Sequence, residues 1–217
     1  MTAIKICGIT RVQDALLAAA SGADLLGLNF YAPSPRYLRP ERAAEIVQAL
    51  RAVYPSGTGP LLVGVFVNAP ADHVQRVCER CGLDLAQLHG DESPEYAHEL
   101  GLPYIVGRRV GRPGALEGLD RYAPWAFLLD SYDLKRPGGS GAAWRWTDMR
   151  VALPRRSRLI LAGGLVPENV QTGLGAVRPW GVDVSSGVES SPGVKDPGRV
   201  VDFIERVKEY DRHDPAN

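Results

Sequence analysis

Lys5-Ile6-Cys7-Gly8-Ile9-Thr10 changes within a few residues from a strand pattern to the start of a helix. Its isoleucines are apolar and β-branched, which suits a short buried strand. Gly8 permits a tight exit from that strand, and Thr10 is suited to cap the helix predicted over residues 11–21. The stretch therefore predicts a strand that passes directly into a helix, with the thiol of Cys7 at the junction.

The same alternation of strand and helix patterns is repeated along the whole chain. The expected strands cover residues 4–9, 25–30, 61–67, 85–89, 104–110, 126–130, 158–162 and 181–185. The expected helices cover residues 11–21, 40–54, 70–81, 93–100, 113–122, 142–153, 167–177 and 197–210, the fifth being weak because Gly118 interrupts it. Alternation at this spacing predicts crossover connections and a parallel sheet.

Eight such units in 217 residues favour a single (β/α)8 barrel. No linker rich in Gly or Ser divides the sequence, so we expect one catalytic domain over residues 1–210 and a polar, frayed tail over residues 211–217. The alternative is an open doubly wound sheet. It is disfavoured because no Gly-rich dinucleotide fingerprint follows the first expected strand.

Composition argues against several classes of protein. Hydrophobic residues make up 45% of the chain and charged residues 23%, as in ordinary globular proteins. The 25 Lys and Arg residues balance the 25 Asp and Glu residues, so no net charge attracts nucleic acid or a membrane surface. No apolar run approaches the ~20 residues of a membrane span, and no signal-peptide pattern begins the sequence. We therefore expect a cytoplasmic protein.

The three cysteines do not suggest a disulfide framework, because their number is odd. Cys78 and Cys81 form a Cys-Glu-Arg-Cys pair, a spacing that can belong to a redox or zinc site. Both share one face of the predicted helix with Val74 and Val77, and a zinc site would need a second ligand pair at suitable spacing. We predict that both cysteines pack in the core and that the chain has no metal site.

Two glycine-containing loops follow the seventh and eighth expected strands. In barrels of this kind, loops at these positions that lead into helix N-termini commonly bind phosphate. Glycine lets backbone N–H groups approach the phosphate oxygens, and the helix dipole favours the anion. The sequence therefore predicts a phosphate site formed by Gly163, Gly164, Ser185, Ser186 and Gly187.

Polar side chains end three of the other strands. Cys7 is reactive in principle, because a helix N-terminus stabilises a thiolate, although a small buried residue is the alternative. Asp130 ends an apolar strand, where desolvation should raise its pKa and suit it to donate a proton. The alternative for Asp130 is a surface residue that begins a loop. Gln87 and His89 point to one side of their strand, and His89 can assist proton transfer or bind substrate.

A cation follows the second expected strand, in the loop Ser34-Pro35-Arg36-Tyr37. Prolines stiffen this loop, and a fixed guanidinium suits bidentate recognition of a carboxylate. The alternative is a solvated charge.

Alternation along the first and eighth strands predicts a buried ion pair. Lys5 shares a face with Cys7, and Asp183 shares one with Ser185 on the neighbouring strand of a closed barrel. Because buried charges need partners, Lys5 and Asp183 should meet beneath the site. Such a cation should bring the pKa of the Cys7 thiol below its ordinary value of about 8.5.

Taken in order, these motifs resemble those of phosphoribosylanthranilate isomerases, from residue 4 to about residue 208. The matching stretches are Lys5-Ile6-Cys7-Gly8-Ile9-Thr10, Ser34-Pro35-Arg36-Tyr37, Val63-Gly64-Val65-Phe66-Val67-Asn68, Gln87-Leu88-His89-Gly90-Asp91-Glu92, Leu129-Asp130, Pro137-Gly138-Gly139-Ser140-Gly141, Leu161-Ala162-Gly163-Gly164-Leu165 and Gly181-Val182-Asp183-Val184-Ser185-Ser186-Gly187-Val188-Glu189.

The resemblance implies a cofactor-free Amadori rearrangement in tryptophan biosynthesis. N-(5-phosphoribosyl)anthranilate becomes 1-(2-carboxyphenylamino)-1-deoxyribulose 5-phosphate. By the same resemblance Cys7 is the general base, Asp130 the general acid and Arg36 the residue that binds the anthranilate carboxylate. The expected partner is a small phosphosugar, and we expect a monomer or homodimer.

Two positions depart from the family pattern. The Lys that often follows the Gly-Gly-Thr-Gly stretch is replaced by Ala142-Ala143, and Asn29 stands where an aliphatic residue is more usual. Two alternative functions stay open. Another phosphosugar barrel enzyme, such as an indole-glycerol-phosphate synthase, would need a catalytic Lys in place of Cys7. A non-catalytic phosphosugar-binding regulatory barrel would have lost its acid or base, whereas Cys7 and Asp130 are both present.

Overall fold

The computed structural model describes residues 1–55, 57–110, 114–130, 153–154 and 157–213. Eight parallel strands form a closed barrel, in which β1 pairs with both β2 and β8. This closure confirms the (β/α)8 prediction and excludes the open doubly wound sheet. The strands are β1 (Ala3–Cys7), β2 (Leu25–Asn29), β3 (Leu61–Phe66), β4 (Leu85–Leu88), β5 (Tyr104–Arg109), β6 (Ala126–Asp130), β7 (Leu159–Ala162) and β8 (Gly181–Val184).

Helices connect successive strands and cover the outside of the barrel. In the described ranges they are α1 (Val12–Ser21), α2 (Pro40–Val53), α3 (Ala71–Cys81), α4 (Pro94–Glu99), α5 (Val170–Val177) and α6 (Pro197–His213). The described part of the weak candidate over residues 113–122 contains a 3-10 helix, Leu119–Arg121, which follows the left-handed Gly118 (φ 66°). The helix predicted over residues 142–153, Ala142-Ala143 and the stretch Pro137–Gly141 lie outside the described residues, Leu153 excepted. No helix in the described ranges has the length and hydropathy needed to cross a bilayer.

The start of α1 differs from the prediction. Arg11, not Thr10, precedes the first helical residue, and its side chain makes no capping bond. The hydroxyl of Thr10 donates instead to the carbonyl of Gly193, far along the chain. This contact fixes the exit of β1 against the loops that follow β8.

The segment after β8 also differs from the prediction. A 3-10 helix, Ser186–Val188, is followed by the antiparallel strands β9 (Glu189–Ser191) and β10 (Val194–Lys195) before α6 begins. The expectation that this loop leads directly into an α-helix is therefore wrong. The last helix continues through residues 211–213, and the carboxylate of Asp211 accepts bonds from the backbone N–H and hydroxyl of Thr2 (2.6 and 2.7 Å).

One layer of the barrel interior is apolar, and the end of the barrel at the carboxyl ends of the strands is polar. The inner cluster consists of Leu25, Val63, Leu85, Ile105, Ala126, Leu128, Ile160 and Ala162. Trp125 and Trp180 pack against it, edge to face at 5.1 Å, and the guanidinium of Arg158 lies over both rings. Above this layer the inner positions carry charged and amide side chains.

A second cluster between the strands and the helices contains Cys78 and Cys81. Both are free thiols, and burial raises the pKa of Cys78 to about 12. The Sγ of Cys81 donates to the carbonyl of Pro40 at 3.4 Å. The prediction that these cysteines pack in the core is confirmed.

Candidate active site

The predicted ion pair lies on the inner face of β1 and β8, where Lys5 and Asp183 are in register. The Nζ of Lys5 donates to Oδ1 of Asp183 at 2.8 Å, and both residues are buried. Burial is the largest single effect and favours the neutral amine, but the charge of Asp183, the charge of Cys7 and their hydrogen bonds to Lys5 together outweigh it and raise the pKa of Lys5 above its ordinary value. The pair that alternation predicted is confirmed.

Replacing Asp183 with Ala should reduce the free energy of unfolding by about 3–5 kcal/mol, because it leaves the charge of Lys5 buried and unpaired. Urea denaturation at pH 7 measures the loss. Asp72→Ala, which removes an exposed partner of Arg76, serves as the matched control and should have a far smaller effect. The double variant Lys5→Met/Asp183→Leu should recover much of the stability, and a loss as large as in Asp183→Ala would contradict this explanation.

Cys7 is the last residue of β1. It follows Lys5 by two residues, so both side chains lie on the same face of the strand. Burial raises the pKa of its thiol, and the positive charges of Lys5 and Lys195 offset this effect only in part. The expectation of a thiol pKa below the ordinary value is therefore wrong, because the sequence shows the neighbouring cation but not the cost of desolvating a thiolate. The fraction of thiolate is small at neutral pH and grows as the pH rises.

Arg36 packs against Gly8, the residue after Cys7, and is held by a carboxylate of the protein. Its Nε and Nη2 donate to Oε1 and Oε2 of Glu189 at 2.8 and 2.6 Å. The aliphatic part of the Arg36 side chain packs against Gly8, where an added Cβ would lie 2.5 Å from the Cδ of Arg36. Gly8 is also left-handed (φ 76°), so both its backbone conformation and this close approach require glycine.

Lys195 is a buried residue of this site that sequence reasoning missed. Its Nζ donates to the carbonyl of Cys7 (2.6 Å), the carbonyl of Ser185 (3.1 Å) and Oε1 of Glu189 (2.9 Å). Glu189 ends one of the motifs that carry the family resemblance, but the sequence did not predict a role for it. Neither residue belongs to a barrel strand, so strand alternation gave no signal for either.

Gln87 and His89 lie together opposite Asp130. The Gln87 Nε2 lies 3.0 Å from Nδ1 of His89, and the His89 Nε2 lies 3.8 Å from Oδ2 of Asp130. Because an amide nitrogen only donates, Nδ1 accepts and the ring proton lies on Nε2, toward Asp130. Burial and the charges of Arg109, Lys5 and Arg108 lower the pKa of His89 to about 4. The ring is therefore neutral at pH 7, and its contact with Asp130 is not an ion pair.

One polar atom of this group stands out among the described residues. The Oε1 of Gln87 is buried and has no hydrogen-bond partner there. An acceptor of this kind costs free energy unless another group satisfies it. Its position beside His89 suits it to accept a hydrogen bond from a hydroxyl of a bound molecule.

The loops after β7 and β8 touch each other. Gly163 and Gly164 are left-handed (φ 91° and 63°), and the carbonyl of Gly164 accepts a bond from the Asn169 side chain at 3.0 Å. An added Cβ at Gly187 would lie 1.9 Å from the carbonyl oxygen of Leu165, so only glycine fits at this contact. The structure thus brings together the two loops that were predicted to bind phosphate, including Ser185 and Ser186.

A cavity of about 410 Å³ opens at the carboxyl ends of β3, β4 and β5, and its lining includes His89, Arg108 and Arg109 but not Cys7, Asp130 or the loops after β7 and β8. Arg109 is the register partner of Asp130 and so shares its inward direction. Sequence reasoning missed Arg109, although alternation from Ile105 could have found it.

Asn29, the unusual residue of β2, also has a structural role here. Its Oδ1 accepts a bond from the backbone N–H of Tyr31 at 2.8 Å, and its carbonyl accepts one from Leu38. These bonds hold both ends of the loop that carries Arg36. In the described part of the chain, no group of three or more His, Cys, Asp or Glu side chains is arranged to hold a metal ion.

Comparison with known proteins agrees with this geometry. The family model described as N-(5'phosphoribosyl)anthranilate (PRA) isomerase matches residues 4–206. The N-(5'-phosphoribosyl)anthranilate isomerase of Geotalea uraniireducens (strain Rf4) is 48% identical over 208 residues, which cover 96% of this chain and 99% of that one.

Two solved structures are similar over nearly their whole length. The phosphoribosyl anthranilate isomerase of Thermus thermophilus is 39% identical with a TM-score of 0.80, over 96% of this chain and 99% of that one. A phosphoribosyl anthranilate isomerase in complex with reduced 1-(o-carboxyphenylamino)-1-deoxyribulose 5-phosphate is 35% identical with a TM-score of 0.79, over 96% and 100%. With the family model and the relative of 48% identity, they establish that this barrel belongs to the N-(5'-phosphoribosyl)anthranilate isomerase family.

Proposed function

We propose that the chain converts N-(5-phosphoribosyl)anthranilate to 1-(2-carboxyphenylamino)-1-deoxyribulose 5-phosphate, an Amadori rearrangement of tryptophan biosynthesis. One observation carries the proposal. A thiol on β1 and a carboxylate on β6 share the carboxyl end of one barrel, and β7 and β8, with their paired glycine loops, lie between them. A phosphate in those loops would place the attached ribose between the acid and the base.

The reaction requires two proton transfers that these groups can make. Asp130 protonates the ring oxygen of the furanose, the bond between that oxygen and C1′ breaks, and a protonated Schiff base forms. The thiolate of Cys7 then removes the proton from C2′, and the electron pair moves toward the positive nitrogen. The resulting enolamine gains a proton at C1′ and loses one from its C2′ hydroxyl, which gives the aminoketose. Atoms and electrons balance without a cofactor.

The other predicted site residues have binding or positioning roles in this proposal. Backbone N–H groups around Gly163, Gly164, Ser185, Ser186 and Gly187 bind the phosphate, and Arg36 binds the anthranilate carboxylate. The Oε1 of Gln87, which has no partner among the described residues, suits a ribose hydroxyl. His89 directs its Nε2 proton toward Asp130, and Asp183 keeps Lys5 charged beneath the base.

We place this activity in the cytoplasm. The proposed base must stay a free thiol, and Cys7, Cys78 and Cys81 are all free. Reducing compartments maintain thiols in this state. The proposed partner is a small phosphosugar.

Purified protein should consume N-(5-phosphoribosyl)anthranilate, followed as the loss of its fluorescence. Inorganic phosphate should raise the apparent KM and leave kcat unchanged, because it competes for the loops after β7 and β8. A phosphate-binding protein without turnover would instead support the regulatory barrel. Turnover without competition by phosphate would contradict the assigned phosphate site.

A further inference from the structure

We propose that Glu189 is a positioning residue that holds Arg36 in the orientation that binds the substrate carboxylate. This inference rests on the proposed function. Glu189 lies close to the place where the substrate carboxylate is expected to bind. A negative charge at such a place would ordinarily weaken the binding of an anion. The arrangement of Arg36, Glu189 and Lys195, called here the arginine clamp, resolves that contradiction.

The arginine clamp fixes the guanidinium from two directions. Glu189 engages one edge through Nε and Nη2, and the backbone at Gly8 lies under the stem. The Arg36 side chain is 21% exposed and that of Glu189 4%, so Arg36 is partly accessible while its partner is covered.

The charges of the arginine clamp leave Arg36 attractive to an anion. Although burial opposes it, hydrogen bonds from Arg36 and the charge of Lys195 lower the pKa of Glu189, so its side chain is an anion at neutral pH. Paired with Glu189 alone, Arg36 would be half of a neutral pair. The Nζ of Lys195 makes three hydrogen bonds, all of them to acceptors, and this requires the three donors of a charged ammonium. Lys195 is therefore a second cation, 2.9 Å from Glu189, and the three side chains together carry a net charge of +1. Burial lowers the pKa of Lys195, and the attraction of Glu189 opposes this effect.

The arginine clamp also connects the carboxylate anchor to the rest of the site. The bonds from Lys195 to the carbonyls of Cys7 and Ser185 join Glu189 to the base strand and to the loop after β8. A shift of Glu189 would therefore move Arg36 relative to both groups. Fixed spacing of this kind lowers the cost of bringing a substrate into a reactive geometry.

Two substrates separate a positioning role from a general structural one. The first is N-(5-phosphoribosyl)anthranilate, and the second is N-(5-phosphoribosyl)aniline, which lacks the carboxylate. The measured quantity is the ratio of their kcat/KM values. Glu189→Gln keeps the size of the side chain but can accept through one oxygen only, so the ratio should fall by about 10- to 100-fold, the value of one charge-assisted hydrogen bond.

Matched variants locate the effect in the arginine clamp. Arg36→Met should lower the ratio at least as far, and Arg36→Met/Glu189→Gln no further than Arg36→Met alone. Glu45→Gln, which disrupts an exposed pair with Arg42, should leave the ratio unchanged. Inhibition by inorganic phosphate should be the same in all of these proteins.

Four outcomes count against the proposal or its basis. An equal loss on both substrates in Glu189→Gln would show a structural role, and additive losses in the double variant would show that Glu189 acts independently of Arg36. Wild-type protein that consumes neither substrate would refute the proposed function itself, a result distinct from an unchanged ratio in an active enzyme. If Glu189→Gln does not fold, Glu189→Asp replaces it, because it keeps the charge and withdraws the carboxylate from Arg36; an unchanged ratio there also overturns the proposal.

Discussion

Asp130→Asn should lower kcat by about 10²- to 10⁴-fold, the usual contribution of a general acid. The amide keeps the shape of the side chain at the end of β6 but has no proton that it can transfer to the ring oxygen. Substrate affinity should change far less, because the loops after β7 and β8 and Arg36 provide the main anchors. Steady-state kinetics at saturating substrate measures the loss.

A matched control for this variant is Asp120→Asn, which changes an exposed carboxylate on the 3-10 helix before β6. It should keep the wild-type kcat. Competition by inorganic phosphate should persist in Asp130→Asn, which shows that the site is still assembled. Near-normal turnover in Asp130→Asn would remove Asp130 from the mechanism and leave His89, 3.8 Å away, as the next group to test. The raised pKa expected for Asp130 from the sequence stays a prediction.

Period-two alternation explains why much of the barrel could be predicted. Each expected strand differs from the observed one by at most two residues at either end, because apolar runs mark the buried strands directly. Alternation also carried the prediction of the Lys5–Asp183 pair, since neighbouring parallel strands place inward residues side by side. The same rule reaches Arg109, which was missed only because it was not applied to β5.

Loop contacts could not be predicted in the same way. Arg36 and Glu189 are 153 positions apart, and neither lies on a barrel strand, so no periodic pattern relates them. Thr10 has a side chain that commonly caps a helix, yet its hydroxyl donates to the carbonyl of Gly193. Tertiary contacts determine the partners of Arg36 and of Thr10. Local propensity is too weak to compete with such contacts.

The pKa of Cys7 shows a second limit. Lys5 was identified correctly as a neighbouring cation, and it does lower the pKa of the thiol. The direction of the net change depends on how fully the thiol is desolvated, and burial has the larger effect here. Sequence identifies the opposing effects but does not determine which of them is larger.

Cys7→Ser should lower kcat by about 10²- to 10⁴-fold, because a hydroxyl is far less acidic than a thiol and supplies almost no anion to remove the C2′ proton. Serine is close in size to cysteine, so the fold and the binding of inorganic phosphate should persist. Cys78→Ser, which changes a buried thiol outside the site, separates loss of the base from loss of stability: its kcat should stay near the wild-type value in the folded fraction.

The pH dependence of the wild-type enzyme tests the same assignment with an independent measurement. Burial raises the pKa of Cys7, so the thiolate is scarce below that pKa. Alkylation by iodoacetamide, quantified on the Cys7 peptide by mass spectrometry, should therefore become faster as the pH rises, with a midpoint above the ordinary thiol value of about 8.5. Lys5 lowers the pKa of Cys7, so Lys5→Met should move the midpoint to still higher pH. A midpoint that Lys5→Met leaves unchanged would exclude Lys5 as the group that tunes the base.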